Sequence, residues 1–329
     1  MMTNKRLRQF IEYLSRQNIV WAPQRIGGEL VMERVSDPKN VELSSELPLH
    51  SFKKILVPPQ EALFNYENNK IFPAVNPPGQ VIFGLTVVDL KAVTFLNQIF
   101  AKDPHFQNRL KKALIIGQSL MPKGKHQFFL EKFEEDVLEH LKFDVFLAAQ
   151  KDKFLVYTGS EDGQRILDDF GHKDYEHIEY VGPIREAGLD SQMQKIRGKF
   201  YEDDKIWQDL GKICIECGKC TLICPCCFCF DIFDQPDLKA GAGKRCRAWT
   251  ACFYTDFSEV AGREIEKKKP KFLRSTPERI RFWYEHKFVR CPDEISLPGC
   301  VGCGRCTKVC PVGIDIKENL QRILKGKLK

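Results

Sequence analysis

The first residues carry Leu7, Phe10, Ile11 and Leu14 at steps of three and four, the period of a helix with one apolar face. From there to about residue 60, apolar and charged positions alternate between turn-rich breaks, which predicts short half-buried strands. The stretch VIFGLTVVDLKAVTFLNQIF changes period midway. Residues 81 to 85 predict a buried strand, Asp89 a helix cap, and Leu90, Val93, Leu96 and Phe100 one face of the helix that follows. ALIIG at residues 113 to 117, then DVFLAAQ and KFLVYTG, continue the alternation of strand and helix. The expected first domain is therefore mixed α/β, a sheet with helices packed on it.

Chain character changes near residue 200, where YEDDKIWQDLGK leads a helix-compatible stretch into the first cysteine. All fourteen cysteines lie between Cys214 and Cys310. An α/β assembly domain without cysteines is expected over residues 1–200, and a cysteine-bearing domain over 201–329. The first must fold on apolar burial alone. At the far end, Ile316, Leu320, Ile323 and Leu324 share one helical face, and Lys325, Lys327 and Lys329 make a basic terminus.

The cysteine region repeats itself: CIECGKCTLICP at residues 214–225 returns as CVGCGRCTKVCP at residues 300–311. Each copy has the spacing C-x2-C-x2-C-x3-C-P, in which three thiolates at intervals of three grip three corners of a four-iron cube. Gly218 and Gly304 occupy the same place in both copies, where positive φ turns backbone amides toward the sulfurs. In two-cluster ferredoxins the fourth cysteine of such a run ligates the other cluster. The expected ligands are thus Cys214, Cys217, Cys220 and Cys310 for the first 4Fe-4S cluster, and Cys300, Cys303, Cys306 and Cys224 for the second. The fold expected for residues 201–329 is ferredoxin-like, with a long insertion between the two cluster motifs.

Structural zinc also uses C-x2-C pairs, but the third cysteine and the proline have no role in a four-ligand zinc site. No cluster corner lacks a cysteine, so the clusters read as electron carriers and no catalytic residue is assigned. Six cysteines remain outside the repeats; Cys227, Cys229, Cys246 and Cys252 form a candidate for an additional metal site, against the plainer reading of inert buried thiols. Among nearby charges, Lys219 and Arg305 stand at matching positions and are candidates for tuning potential.

The formal net charge is +7, counted with every cysteine neutral. Each filled four-iron site brings about −2, so the loaded protein sits near about +3, and a nucleic-acid role loses its electrostatic basis. EKKKPK at residues 266–271 reads as a solvated loop. There is no signal peptide pattern, no apolar run long enough to span a membrane, and no nucleotide-binding glycine loop, so a cytoplasmic chain is expected.

CIECGKCTLICPCCFCFDI, KRCRAWTACFYTDFSEVAG, RIRFWYEHKF and GCVGCGRCTKVCPVGIDI together resemble the iron-sulfur beta subunit of cytoplasmic sulfhydrogenase-type nickel-iron hydrogenases and the corresponding iron-sulfur subunit of anaerobic sulfite reductase. The N-terminal half resembles the same family more weakly, in ILVPPQEALFNYE and IFGLTVVDLKAVTFLNQIFAKDPHFQNRLKKALIIG. The resemblance implies a non-catalytic subunit that passes electrons between a catalytic redox subunit (hydrogenase or sulfite reductase) and a flavin/NAD(P)H-binding subunit. A hydrogenase complex is the first expectation and a sulfite reductase complex the alternative; a zinc-stabilised interaction or nucleic-acid-binding protein is the rival from another class. Members often carry cysteine where this chain has Val88, and others near Ser119. Cys227, Cys229 and Cys252 follow the family pattern, whereas Cys246 and Cys291 do not. Trp249 and His286 lie in matching segments and read as packing residues.

Overall fold

In the computed structural model, which describes residues 1–74, 78–123, 126–128, 135–183, 187–238, 241–260 and 269–325, Thr3 caps the first helix, Asn4–Gln17, by accepting the Arg6 N–H. The helix buries Leu7, Phe10, Ile11 and Leu14, the face predicted from their spacing. Strands β1 (Met2–Thr3), β2 (Ile19–Ile26), β3 (Glu29–Arg34), β4 (Gln60–Glu67), β5 (Lys70–Pro73), β6 (Gln80–Thr86), β7 (Ala113–Gln118), β8 (Val145–Gln150), β9 (Lys153–Thr158), β10 (Glu176–His177), β11 (Phe230–Pro236) and β12 (Ala242–Trp249) form two sheets. The mixed α/β class is as the patterning predicts.

The chain divides into two compact units: residues 1–57 and 76–184 with 301–303, and residues 58–75, 185–300 and 304–329. The first unit holds a sheet in the order β1-β9-β8-β7-β6-β2-β3, with β10 beside β9. Its middle strands β2, β6, β7 and β8 run parallel, while β3, β9 and β1 are antiparallel to their neighbours. Parallel strands covered on both faces read as continuous apolar runs, which is why VIFGL and ALIIG show no alternation. Phe10, Leu14, Val81, Phe83, Ile116, Val145 and Leu147 belong to one buried core.

The helix after β6, Val87–Ile99, buries Leu90, Val93 and Leu96 as expected. Its cap differs from the prediction. Thr86 is the N-cap and accepts the Asp89 N–H through its hydroxyl, so Asp89 is the third helical residue. The two valines after Thr86 mask the start of the helix, because they extend the strand's apolar run. This helix lies close on the sheet at Gly117, where an added Cβ would come 2.7 Å from both Leu90 and Phe146.

The second unit carries the antiparallel sheet β11-β12-β4-β5. Arg247 on β12 and Glu61 on β4 form a buried ion pair at 2.6 Å across it. The register slips by one residue between Arg245 and Cys246, a bulge that re-aims the chain there. Helix Lys205–Ile213 ends at Cys214, whose N–H still bonds Leu210 O at 3.0 Å. The last helix, Ile316–Lys325, buries Ile316, Leu320 and Ile323. Lys327 and Lys329, like the first half of the basic run at residues 266–268, lie outside the described residues. The second half of that run, Lys269 and Lys271, pairs with Glu259 at 3.3 and 3.2 Å.

Candidate metal centre

Both cysteine loops fold alike because their sequences demand the same two left-handed residues. In the first, Glu216 and Gly218 have φ of 55° and 71°; in the second, Gly302 and Gly304 have 67° and 71°. Gly218 and Gly304 then cap the short helices Lys219–Leu222 and Arg305–Lys308. Gly218 cannot carry a side chain without strain: a Cβ there would also sit 2.7 Å from the Tyr254 ring and 2.8 Å from Ala251 Cβ.

Cys214, Cys217 and Cys220 of the first loop line one cavity together with Cys306 and Cys310 of the second. Phe253, Ile280, Trp283, Tyr284 and Ile316 form its apolar wall. The Glu216 N–H points at Cys214 Sγ (3.4 Å) and the Ile314 N–H at Cys310 Sγ (3.3 Å), the amide-to-sulfur contacts that stabilise a thiolate. Without a metal, burial pushes the Cys220 thiol up to about 12, and burial likewise raises Cys214, with Cys217 and Cys310 adding repulsion. Thiols so crowded and buried stay protonated, and a bound metal cation is what lets them ionise as thiolate ligands. The Trp283 indole N–H, buried without a protein acceptor, is a donor that a cluster sulfur would satisfy.

The second loop has a different setting. Val301–Cys303 group with the first unit, and Cys303 packs there against Leu47 and Val88, so the position where the resembled family often has cysteine adjoins a predicted ligand. Ser119 lies on neither cysteine loop; its hydroxyl accepts the Ala149 N–H at 2.8 Å. Cys224 receives a charge. Lys287, 5 % exposed, donates from Nζ to Cys224 Sγ at 3.3 Å and to Gly299 O at 2.8 Å. Burial opposes that ammonium, but attraction from Cys224, Cys227, Cys300 and Cys226 outweighs it and holds its pKa well above the ordinary lysine value. Cys224 and Cys300 are thereby gathered about one cation.

Lys287 was not among the sequence-predicted residues. It lies in a π-helical turn, His286–Arg290, which inserts an extra residue into the helix Thr276–Glu285 and swings the lysine inward. Glu216 and Arg279 were missed too. The Glu216 carboxylate, at the left-handed position beside the first loop, accepts Arg279 Nη1 at 2.8 Å, and Arg279 is buried. The matching pair Lys219 and Arg305 turn out unlike: Lys219 is exposed and Arg305 is 2 % exposed.

Of the four candidate extra ligands, Cys227, Cys229 and Cys252 line a second cavity, but Cys246 does not. Its thiol lies on β12 opposite the β4 bulge at Leu63, donating to Gln235 Oε1 at 3.8 Å. Cys291, outside the pattern of the resembled family, lines that cavity instead. His286 packs edge-on against Phe228 and Phe282, with its pKa lowered by burial, in keeping with a packing role.

Residues 213–314 match the family model of the 4Fe-4S dicluster domain. The chain is 26% identical to sulfhydrogenase 2 subunit beta of Pyrococcus furiosus, over 97% of this chain and 96% of the relative. No solved structure matches. The resemblance carried by the cysteine motifs therefore extends along nearly the whole chain, and the protein is an iron-sulfur electron-transfer protein with two 4Fe-4S clusters. Among the described residues no helix is long and apolar enough to cross a membrane.

Proposed function

We propose that this chain is a non-catalytic subunit of a multi-subunit cytoplasmic redox enzyme, relaying electrons between a catalytic subunit of the nickel-iron hydrogenase type and a flavin/NAD(P)H-binding subunit. Cys214, Cys217, Cys220 and Cys310 hold the first cluster, and Cys300, Cys303, Cys306 and Cys224 the second. The observation that carries this reading is the meeting of Cys310, with Cys306 beside it, and Cys214, Cys217 and Cys220 around one apolar cavity, which supports a crossed fourth ligand between the two cluster motifs. When bound, each cluster supplies a one-electron carrier. The thiolates fix it, the Phe253, Trp283 and Tyr284 wall keeps water away, and Lys287 sets the charge at Cys224.

Support for partners comes from apolar side chains left in solvent on the second sheet, beside the relative's standing as a subunit. Phe230, Ile232 and Phe233 of β11 and Ile71 and Phe72 of β5 are all exposed. The cysteine-free α/β region serves assembly. Anaerobic isolation of the native complex tests the proposal: nickel in a co-purifying large subunit is expected, together with a flavin protein. Siroheme instead of nickel would move the chain to sulfite reduction, zinc in place of iron would refute the electron-carrier role, and a chain that runs alone would end the subunit reading.

A further inference from the structure

Five of the six cysteines outside the two repeats meet in one place. Cys226, Cys227, Cys229, Cys252 and Cys291 line a cavity in the second unit, with Trp283, His286 and Lys287. They arrive from three separate stretches of chain: the turn after the first loop, the turn after β12, and the start of helix Cys291–Ile295. The first two are tied by the Thr250 N–H, which donates to Cys229 O at 3.2 Å. The third is held by the close approach of Gly299, where an added Cβ would lie 3.2 Å from Cys291 Sγ. Inert thiols need no such convergence; free cysteine packs wherever a small apolar side chain fits.

Cys229 is close enough to interact electrostatically with both Cys252 and Cys291, and Cys227 acts in the same way on Lys287. Cys226 is engaged elsewhere, its thiol hydrogen-bonded to Cys224. Among the described residues, no three His, Cys, Asp or Glu side chains close on a point tightly enough for a single ion. A four-iron cube takes one thiolate at each of four separate corners, whereas zinc draws four ligands to about 2.3 Å from one centre.

We infer that Cys227, Cys229, Cys252 and Cys291 hold a third four-iron cluster. Four thiols release their protons to solvent and bind as thiolates to the irons of a cube of core charge about +2, leaving about −2 beside the Lys287 ammonium. The site lies between the other two centres in chemical terms: Cys252 interacts with Cys220, a ligand of the first cluster, while Lys287 bonds Cys224, a ligand of the second. The inference rests on the two-cluster reading but fails separately from it.

The test is iron and acid-labile sulfide per chain in the anaerobically purified protein, with Mössbauer and electron paramagnetic resonance spectra before and after dithionite. About twelve irons are expected in the native chain and about eight in Cys229→Ala and Cys291→Ala, with the two remaining clusters still reducible. About eight irons in the native chain, or variants that keep all of the iron, overturn the third site and leave the other two intact. The native count decides even where a variant does not fold. An iron-free chain overturns the two-cluster reading as well.

Discussion

The two cysteine loops have the same spacing, left-handed residues at the same places and the same short helix, yet the charges around them differ. Beside the first, the Glu216 carboxylate offsets the buried Arg279 and Lys219 is exposed; beside the second, Lys287 bonds Cys224 and Arg305 is buried, two cations in one setting. A cluster's potential follows local charge and hydrogen bonds to its sulfurs, and a positive charge favours the reduced, more negative state. The repeat therefore makes two similar cages whose surroundings differ, and the second cluster is expected to be the better electron acceptor, a difference that a potentiometric titration measures.

The strongest way to break this comparison is to remove a ligand. Cys310→Ala lies in the second repeat but should abolish the first cluster, lowering iron by about four per chain and leaving the higher-potential signal. Loss of the higher-potential signal would show that the ligands are not crossed. Next in size is Lys287→Met. Removing the ammonium that bonds Cys224 should weaken the reduction equilibrium of the second cluster by a factor of about ten or more, a fall of about 59 mV for one electron, and leave the first in place. A potentiometric titration followed by electron paramagnetic resonance reads both, and equal shifts in the two would deny the asymmetry. Removing one partner of a buried charged pair also costs stability, so the iron content and thermal unfolding of the variant are measured beside its potentials.

How much of this was legible in the sequence depends on how local each cause is. The dicluster domain was, because each of its motifs sets three cysteines within seven residues and a fourth before a proline. The strands at residues 81 to 85 and 113 to 117 were, because full burial writes itself as an unbroken apolar run. Lys287 was not: its partner Cys224 is 63 positions away, and nothing in EHKF announces a π-helical turn that carries a lysine inward. Which cysteines share the second cavity was hidden for the same reason. Proximity in sequence placed Cys246 with CCFC, whereas its place on β12 sets it beside Gln235 of β11, and Cys291 lines the cavity with Gly299 close to its sulfur. Lys219 and Arg305 looked equivalent by register; burial, which register does not encode, separates them.

A smaller effect distinguishes the matched glycines. Gly218→Ala combines a left-handed backbone with contacts of 2.7 Å to Tyr254 and 2.8 Å to Ala251, and should destabilise the holoprotein by about 2–4 kcal/mol. Gly304→Ala carries at least the same backbone penalty at φ 71°, about 1–2 kcal/mol, and is the reference against which the Gly218 contacts are weighed. Thermal unfolding under anaerobic conditions measures both, and a Gly218 variant as stable as the parent would mean that the first loop yields where its packing says it cannot.

The smallest expected effect isolates charge from shape. Glu216→Gln keeps the side-chain length, the left-handed backbone cost and an oxygen for Arg279, but removes the negative charge beside the first loop. Arg279 then stands uncompensated, so the first cluster should become easier to reduce. Because Glu216 is 26% exposed, solvent screens the change, and the rise should stay below about 59 mV, the tenfold mark that Lys287→Met exceeds in the opposite direction. Glu216→Gly is the poorer probe: it relieves about 1 kcal/mol of backbone strain and at the same time strands the buried guanidinium, so stability and potential move together. If Glu216→Gln narrows the gap between the two midpoints from below while Lys287→Met narrows it from above, the inequality of the clusters resides in those two side chains. A gap that persists in the double variant would place it in Arg305 and in the burial of the loops themselves.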